Sequence, residues 1–202
     1  HGRIRRQRQM CIRDSDDVLT AIRLADEFGY DMVLQHVSEA YKVAENIAAS
    51  GYPSSIITLD SFGGKMEAKD FSNRNGAVLE AAGAAVGLHT DDYITDSRLF
   101  LRSAALAVRE GMSREGALKA ITLANAKMMR VDDRIGSFKK GKDADLVILS
   151  GDPFSVYTHV EQTWIEGQKV WDRANPEDKK VATGGYGVFR LNTHAHTHEG
   201  GQ

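Results

Sequence analysis

Short apolar runs alternate with longer amphipathic segments from residue 16 to about residue 124, and this alternation constrains the fold most. Apolar residues recur at helical spacing in "DDVLTAIRLADEFG", in "SEAYKVAENIAASG" and over about 72–82, 97–110 and 114–124. "DMVLQH", "PSSII" and "AAVGLH" have the length of buried strands. Ser38 is placed to cap the second helix and Gly51 to end it. Regular alternation of strand and helix predicts an α/β fold, with parallel strands joined by helical crossovers.

Composition limits the kinds of partner. The chain has 202 residues, 42% of them hydrophobic, which is enough for one good core. Its formal net charge of −2 gives no basic surface for nucleic acid or an anionic membrane. No run approaches the roughly 18 apolar residues of a membrane span. Cys11 is the one cysteine, which excludes an internal disulfide. We therefore predict a soluble protein without nucleic-acid or membrane partners; compartment and oligomeric state stay open.

The first fifteen residues, "HGRIRRQRQMCIRDS", differ in character from the rest. They contain five arginines and two glutamines and show no helix or strand periodicity. A disordered basic arm and a nucleic-acid-binding arm are two interpretations. A third is that the segment is non-native, such as a translated sequencing adapter, with native sequence beginning near Asp16. The chain also opens with His1 rather than Met, so we expect that it does not begin at a native start.

Polar residues lie where two predicted strands end. His36 ends "DMVLQH", and His89, Asp91 and Asp92 follow "AAVGL". Residues at the carboxyl ends of parallel strands line the functional face of a sheet or barrel. Side chains alternate along a strand, so His89 and Asp91 point the same way while Asp92 points opposite or belongs to the loop. A His and an Asp from different strand ends suit zinc or a similar divalent ion. A hydrogen-bonded core His, and an Asp91 that caps the next helix, are equally open interpretations.

The last third of the chain loses helical periodicity. "ADLVILS", "VEQTWIEG" and "KVWDR" have the form of short strands, and "EGQ" that of a tight hairpin turn. We expect residues 143–172 to form antiparallel strands outside the α/β body. Turn geometry accounts for Gly136, Gly141 and Gly151 without a functional role.

Several motifs together resemble a known family. "RIGSFKKGKDADLVILSGDPF" followed by "VEQTWIEGQKVWD" resembles the C-terminal signature of the metal-dependent amidohydrolases, especially imidazolonepropionase-like members. "ALKAITLANAKMMRVDDRIGS" and "GLHTDD" fit the same pattern, and the resemblance covers roughly residues 16–187. It implies the last three or so units of a (β/α)8, TIM-type barrel over 16–131 and a small β-sandwich element over 132–175. A C-terminal segment with a His-containing tail follows over 176–202, and "GKDAD" is a structural turn and strand.

The resemblance also implies roles for individual residues. Asp91 is similar to the final-strand aspartate that ligates the metal and handles the proton of the attacking water. His36 is similar to the sixth-strand histidine, which binds the second metal or contacts substrate. His89 has no required role in the family pattern, and its alternation with Asp91 puts it in reach of substrate. The implied cofactor is a divalent metal, with zinc expected and one or two ions in the complete enzyme. The implied substrate is a small-molecule amide or cyclic amide.

Parts of the family pattern are absent from this sequence. The first-strand His-x-His and the metal-bridging fourth-strand Lys or Glu are missing, and the fifth-strand histidine would fall within "RQRQMCIRDS". Since such a barrel takes about 250 residues, the resemblance implies a C-terminal fragment that is inactive alone. The alternative is a non-catalytic α/β binding or scaffold domain. An H-x-H about 200 or more residues upstream of Asp91 would favour the enzyme. The tail histidines His194, His196 and His198 are expected to be a flexible polar terminus or an adventitious metal binder.

Overall fold

The structure, a computed structural model, describes the backbone of residues 8–12 and all of residues 14–58, 70–92 and 95–184. The stretch "TLDSFGGKMEAKD", for which the sequence predicts a Gly-rich loop, is described only at its two ends, and the three tail histidines lie outside the described residues. None of the helices in the described ranges combines the length and hydropathy needed to cross a membrane.

Two compact units divide the chain. One comprises His1–Lys142 with Pro153–Val156, and the other comprises Asp143–Asp152 with Tyr157–Gln202, each over its described residues. In the first unit four strands form a parallel sheet in the order β1-β2-β3-β4. These strands are β1 (Arg8–Ile12), β2 (Met32–His36), β3 (Ser54–Ile56) and β4 (Val86–Leu88). The helices are α1 (Ser15–Phe28), α2 (Ala44–Ser50), α3 (Asn75–Ala81), α4 (Phe100–Arg109), α5 (Arg114–Ala120) and α6 (Leu123–Met128).

Strand β1 corrects the expectation that residues 1–15 contain no regular structure. Residues 8–12 pair in parallel with β2, from Arg8 beside Met32 to Ile12 beside His36. Residues 1–7 and 13 lie outside the described part. A strand at a sheet edge gains its order from backbone hydrogen bonds to its neighbour, so it needs no alternating apolar pattern of its own. The sheet therefore has four strands, one more than the sequence predicted, and whether residues 1–15 are native stays open.

The core of the first unit joins the sheet to the crossover helices. Leu34, Ile56 and Leu88 on three successive strands are completely buried, as are Ile47 of α2 and Leu79 of α3. Burial of each such side chain contributes about 1.5–3 kcal/mol to folding. The α/β body predicted from the alternation of strands and helices is confirmed.

Two predicted helices differ in detail from the sequence expectation. Ser38 does not cap the second helix. A 3-10 turn over Ala40–Val43 precedes α2, and Glu39 is the N-cap residue of that turn. The chain leaves β2 through positive φ angles at His36 and Val37, so helical geometry starts only after that turn. Gly51 ends α2 at φ 74°, as predicted.

The helix predicted over 114–124 is interrupted. α5 ends at Ala120 and α6 begins at Leu123, and Thr122 between them has φ −132° and ψ −96°. The Thr122 hydroxyl donates to the Leu118 carbonyl at 2.7 Å. Such a side-chain hydrogen bond to the preceding turn competes with the regular helix and favours a bend.

The second unit contains an antiparallel sheet in the order β5-β6-β7. Its strands are β5 (Leu146–Leu149), β6 (Val160–Ile165) and β7 (Gln168–Asp172), and helix α7 (Pro176–Thr183) follows. Glu166 and Gly167 connect β6 to β7 with φ 50° and 75°, which is the two-residue turn that suits a twisted hairpin. The predicted antiparallel strands and hairpin turn are confirmed. The described residues of this unit show one sheet, so the β-sandwich stays a prediction.

The "GKDAD" segment is organised by a lysine. Lys142 Nζ donates to the carbonyl of Asp132, to the carbonyl of Ile135 at 3.0 Å and to Ser137 Oγ at 2.8 Å. These contacts close the loop of residues 132–142 on itself. The segment thus has a structural function in the first unit.

Candidate active site

His36 and Asp91 lie in direct contact. His36 is the last residue of β2, Asp91 follows the end of β4, and His36 Nε2 is 3.0 Å from Asp91 Oδ2. The His36 side chain is 12% exposed and that of Asp91 41%. The proximity predicted from the sequence is therefore observed. The two strands are not neighbours, however, because β3 lies between them in the sheet.

The backbone is strained at both residues. His36 has φ 71° and Asp91 has φ 51°, a left-handed conformation that side-chain-bearing residues rarely adopt. Each such residue costs on the order of 1–3 kcal/mol and persists only where its surroundings enforce it. One enforcing contact is visible: the amide of Asn75, which is 2% exposed, donates to the Val37 carbonyl at 2.9 Å. Strain of this kind concentrates at functional sites, so it supports the assignment of the site to these strand ends.

His89 completes the group. Its ring centroid lies 5.0 Å from that of His36, with the ring planes tilted by 56°. Nδ1 lies 2.9 Å from Ser55 Oγ, and Nε2 is buried without a hydrogen-bond partner among the described residues. The pKa of His89 is lowered to about 4, chiefly by burial and also by the nearby His36, while Asp91 opposes the shift. His89 is therefore neutral near pH 7.

The two carboxylates after β4 have different surroundings. Asp92 accepts a hydrogen bond from the Ser97 backbone N–H at 3.3 Å, so it belongs to the loop, as one sequence interpretation had it. The residue that caps the following turn is Asp96, whose side chain accepts from the Arg98 N–H at 2.9 Å. Capping therefore does not account for Asp91.

The donor set fits part of a divalent-metal shell. An imidazole nitrogen and a carboxylate oxygen 3.0 Å apart are ligand types that zinc accepts. Over residues 14–58, 70–92 and 95–184, no three His, Cys, Asp or Glu side chains are grouped so as to hold a metal. Catalytic zinc sites typically use three protein ligands and a water. His36 and Asp91 thus fit two ligand positions of such a zinc site. A complete site would need a further ligand from outside the described residues.

Sequence reasoning missed two residues that organise this site, Ser55 and Asn75. A serine in "PSSII" and an asparagine at the start of a helix carry no signal of such contacts in a single sequence. Their contacts depend on which strands and helices are neighbours.

A cavity of about 650 Å³ lies at the opposite ends of the strands. Its lining includes Met32, Pro53 and Val86, which stand at the starts of β2, β3 and β4. Functional sites of parallel sheets lie instead at the carboxyl ends. The cavity is consequently separate from the group of His36, His89 and Asp91.

The parallel sheet has a His–Asp pair at the carboxyl ends of its strands. The chain therefore belongs to the class of α/β proteins whose functional site lies at that edge of the sheet. Comparison with known proteins then shows what the chain is similar to. The amidohydrolase family model (Amidohydro_3) matches residues 76–171. The "Amidohydrolase tasK" of Hapsidospora irregularis is 27% identical over 161 residues, which are 78% of this chain and 16% of that protein. The imidazolonepropionase of Picrophilus torridus is 28% identical over 129 residues, 61% of this chain and 31% of that protein.

Solved structures also include amidohydrolases that are similar to this chain. An amidohydrolase from Thermotoga maritima MSB8 superposes with a TM-score of 0.78 at 39% identity, over 82% of this chain and 43% of that one. An adenosine deaminase from Xanthomonas campestris with bound zinc has a TM-score of 0.54 at 22% identity, over 80% and 44% of the two chains, and shows similarity of fold. The resemblance inferred from the sequence is confirmed: the chain is similar to amidohydrolases in sequence and in fold. It spans less than half the length of each of these proteins.

Proposed function

We propose that this chain is the C-terminal part of a metal-dependent amidohydrolase that hydrolyses an amide or cyclic C–N bond of a small molecule with an activated water. The observation that carries the proposal is the contact of His36 Nε2 with Asp91 Oδ2 at strained strand ends. The imidazolonepropionase and amidohydrolase relatives support this reaction class. In the proposal the described sheet is the closing part of a TIM-type barrel, and the second unit is part of a β-sandwich.

His36 Nε2 and Asp91 would hold the metal ion, which we propose to be zinc, with one or two ions in the complete enzyme. When bound, such an ion would lower the pKa of a coordinated water toward about 7. The zinc in the adenosine deaminase neighbour favours this choice of ion. Ligands beyond His36 and Asp91 would come from the part of the enzyme that precedes this chain.

Asp91 handles the proton in this mechanism. Its carboxylate is 41% exposed, so it is accessible from the open side of the site while one oxygen contacts His36. A carboxylate there takes the proton of the attacking water and delivers it to the leaving amine. His89, neutral and within 5.0 Å of the His36 ring centroid, orients the substrate by hydrogen bonding.

An alternative is a non-catalytic binding or scaffold domain that keeps the fold. The contact of His36 with Asp91 at the carboxyl ends of two strands favours the enzyme, because functional sites of parallel sheets lie at that edge. The incomplete ligand set favours a chain that is inactive by itself. An open β4 edge, where a complete barrel would continue, would also promote aggregation of the isolated chain.

The test uses a longer protein in which the upstream coding sequence has been restored. Zinc-loaded enzyme is assayed against a panel of cyclic and linear amides. Asp91→Asn should lower kcat/KM by on the order of 10³-fold or more, because it removes a metal ligand and the proton acceptor together. Asp92→Asn is the matched control: it changes the adjacent carboxylate but keeps the oxygen that accepts from Ser97, so its turnover should stay close to the parent's.

The isolated chain is assayed in parallel, with His194, His196 and His198 changed to Gln to prevent adventitious metal binding. We expect no turnover. Turnover that disappears in Asp91→Asn would contradict the proposed incompleteness. Full activity of Asp91→Asn in the longer protein would contradict the site, and an inactive longer protein would favour the scaffold.

A further inference from the structure

Ser55 is a buried residue of β3, the strand that separates His36 from Asp91 in the sheet. It pairs in register with Gln35 on one side and Gly87 on the other, and it is 5% exposed. His89 follows Gly87 by two residues, so strand alternation gives its side chain the same side of the sheet as Ser55. The resulting contact is the 2.9 Å approach of Ser55 Oγ to His89 Nδ1.

The direction of this hydrogen bond decides which ring nitrogen of His89 carries the proton. In the described part of the chain, Nδ1 is the one hydrogen-bond partner of the Ser55 hydroxyl. If the hydroxyl donates, its proton and the Nδ1 lone pair are both satisfied, and only the N–H on Nε2 lacks a partner. If Nδ1–H donates instead, the buried hydroxyl proton and the Nε2 lone pair both lack one. Each unsatisfied buried polar group costs about 1–3 kcal/mol, so the first arrangement is favoured.

We propose that Ser55 is a positioning residue that holds His89 in the tautomer protonated at Nε2, which makes this ring a hydrogen-bond donor to a substrate oxygen rather than a metal ligand. The identity of that acceptor rests on the proposed function, whereas the tautomer rests on the geometry of Ser55 alone. A protonated Nε2 has no lone pair for a metal. The two histidines therefore divide the work: His36 binds the ion and His89 binds substrate.

The buried Nε2 is the second observation in favour. A buried polar atom without a partner requires an explanation, and a site that awaits a ligand is one. In the proposal, an N–H whose position is fixed in advance costs no reorganisation when a substrate oxygen arrives. Loss of Ser55 would thus change which nitrogen of the His89 ring carries the proton.

Nuclear magnetic resonance of the metal-free 202-residue chain tests the tautomer directly. The chain is labelled with ¹⁵N-histidine, with His194, His196 and His198 changed to Gln. Long-range ¹H–¹⁵N correlation near neutral pH distinguishes a protonated from an unprotonated ring nitrogen, and the His89 signals are assigned from their loss in His89→Gln. We expect Nε2 protonated and Nδ1 unprotonated in the parent chain.

Ser55→Ala should move His89 to the other tautomer or to a mixture, while Ser55→Thr, which keeps the hydroxyl, should restore the parent pattern. Ser54→Ala is the matched control. Ser54 is the preceding residue of the same strand, is completely buried, and its Oγ has no hydrogen-bond partner among the described residues. We expect this variant to keep the parent tautomer. A purely packing role for Ser55 would lower stability without moving the proton.

The proposal is overturned if parent His89 carries its proton on Nδ1, or if folded Ser55→Ala shows the parent tautomer. If Ser55→Ala does not fold, the parent spectrum still decides. Zinc is then added. Zinc that shifts the His36 resonances and leaves the His89 Nε2 proton in place supports the proposal, and zinc that displaces that proton overturns it. In the longer protein with the upstream sequence restored, a correct tautomer without any zinc effect at His36 supports the role of Ser55 and counts against the metal site of the proposed function.

Discussion

Removal of the Lys142 ammonium should unfold the loop of residues 132–142. Lys142→Met keeps most of the apolar stem and deletes three hydrogen bonds from a charged donor, to the carbonyls of Asp132 and Ile135 and to Ser137 Oγ. Hydrogen bonds to charged groups contribute about 1.5–3 kcal/mol each when buried. Lys142 is only part-buried, so we discount that sum and expect a loss of about 3 kcal/mol in the free energy of unfolding.

Urea unfolding followed by far-ultraviolet circular dichroism measures the global effect, and hydrogen exchange of amides 132–142 measures the local one. Lys140→Met is the matched control, because Lys140 is exposed and the described part of the chain shows no hydrogen bond or ion pair from its side chain. That variant should stay within about 0.5 kcal/mol of the parent, as is usual for surface substitutions.

Equal stability of the two variants, with no faster exchange in the loop of Lys142→Met, would refute the structural role assigned to Lys142. In the longer protein, loss of activity in Lys142→Met should follow the loss of folded protein. An inactive but fully folded Lys142→Met would instead place this lysine in the chemistry.

Two further predictions concern steric space at two glycines and the effect of pH on stability. Gly136 and Gly141 both have positive φ, 84° and 93°, but a Cβ at Gly136 would lie 2.6 Å from that of Ala126 and one at Gly141 would meet nothing within 4 Å. Gly141→Ala should therefore cost about 1–2 kcal/mol and Gly136→Ala clearly more by urea unfolding, and equal losses would contradict the steric argument. His89 should make the metal-free chain acid-sensitive. Its pKa in the folded chain, about 4, lies below the usual histidine value of 6.5, so stability that is present above pH 6.5 is lost as the pH falls toward 4, by on the order of 3 kcal/mol. The pH dependence of the unfolding free energy should be shallower in His89→Gln, and an unchanged slope would contradict the burial of a neutral ring.

The sequence alone determined the features that depend on local periodicity and turn chemistry. Alternating strand and helix patterns predicted the parallel sheet, because each pattern encodes which face of its element is buried. The "EGQ" turn predicted the hairpin, and in the structure its connecting residues Glu166 and Gly167 have positive φ, as a two-residue turn requires. Placement of His36 and Asp91 at strand ends followed from the same reasoning. The C-terminal motifs indicated the resemblance to the metal-dependent amidohydrolases.

Only the tertiary structure decided which residues meet. No pattern in residues 8–12 indicates a strand, because the order of β1 comes from pairing with β2 rather than from its own sequence. His36 contacts Asp91 across an intervening strand, and Ser55 reaches His89 because the sheet order puts β3 beside β4. The positive φ at His36 and Asp91 is likewise imposed by surrounding contacts, against the preference of each residue. Contacts of this kind join positions distant in the chain, and a single sequence records the residues at those positions but not their neighbours in space.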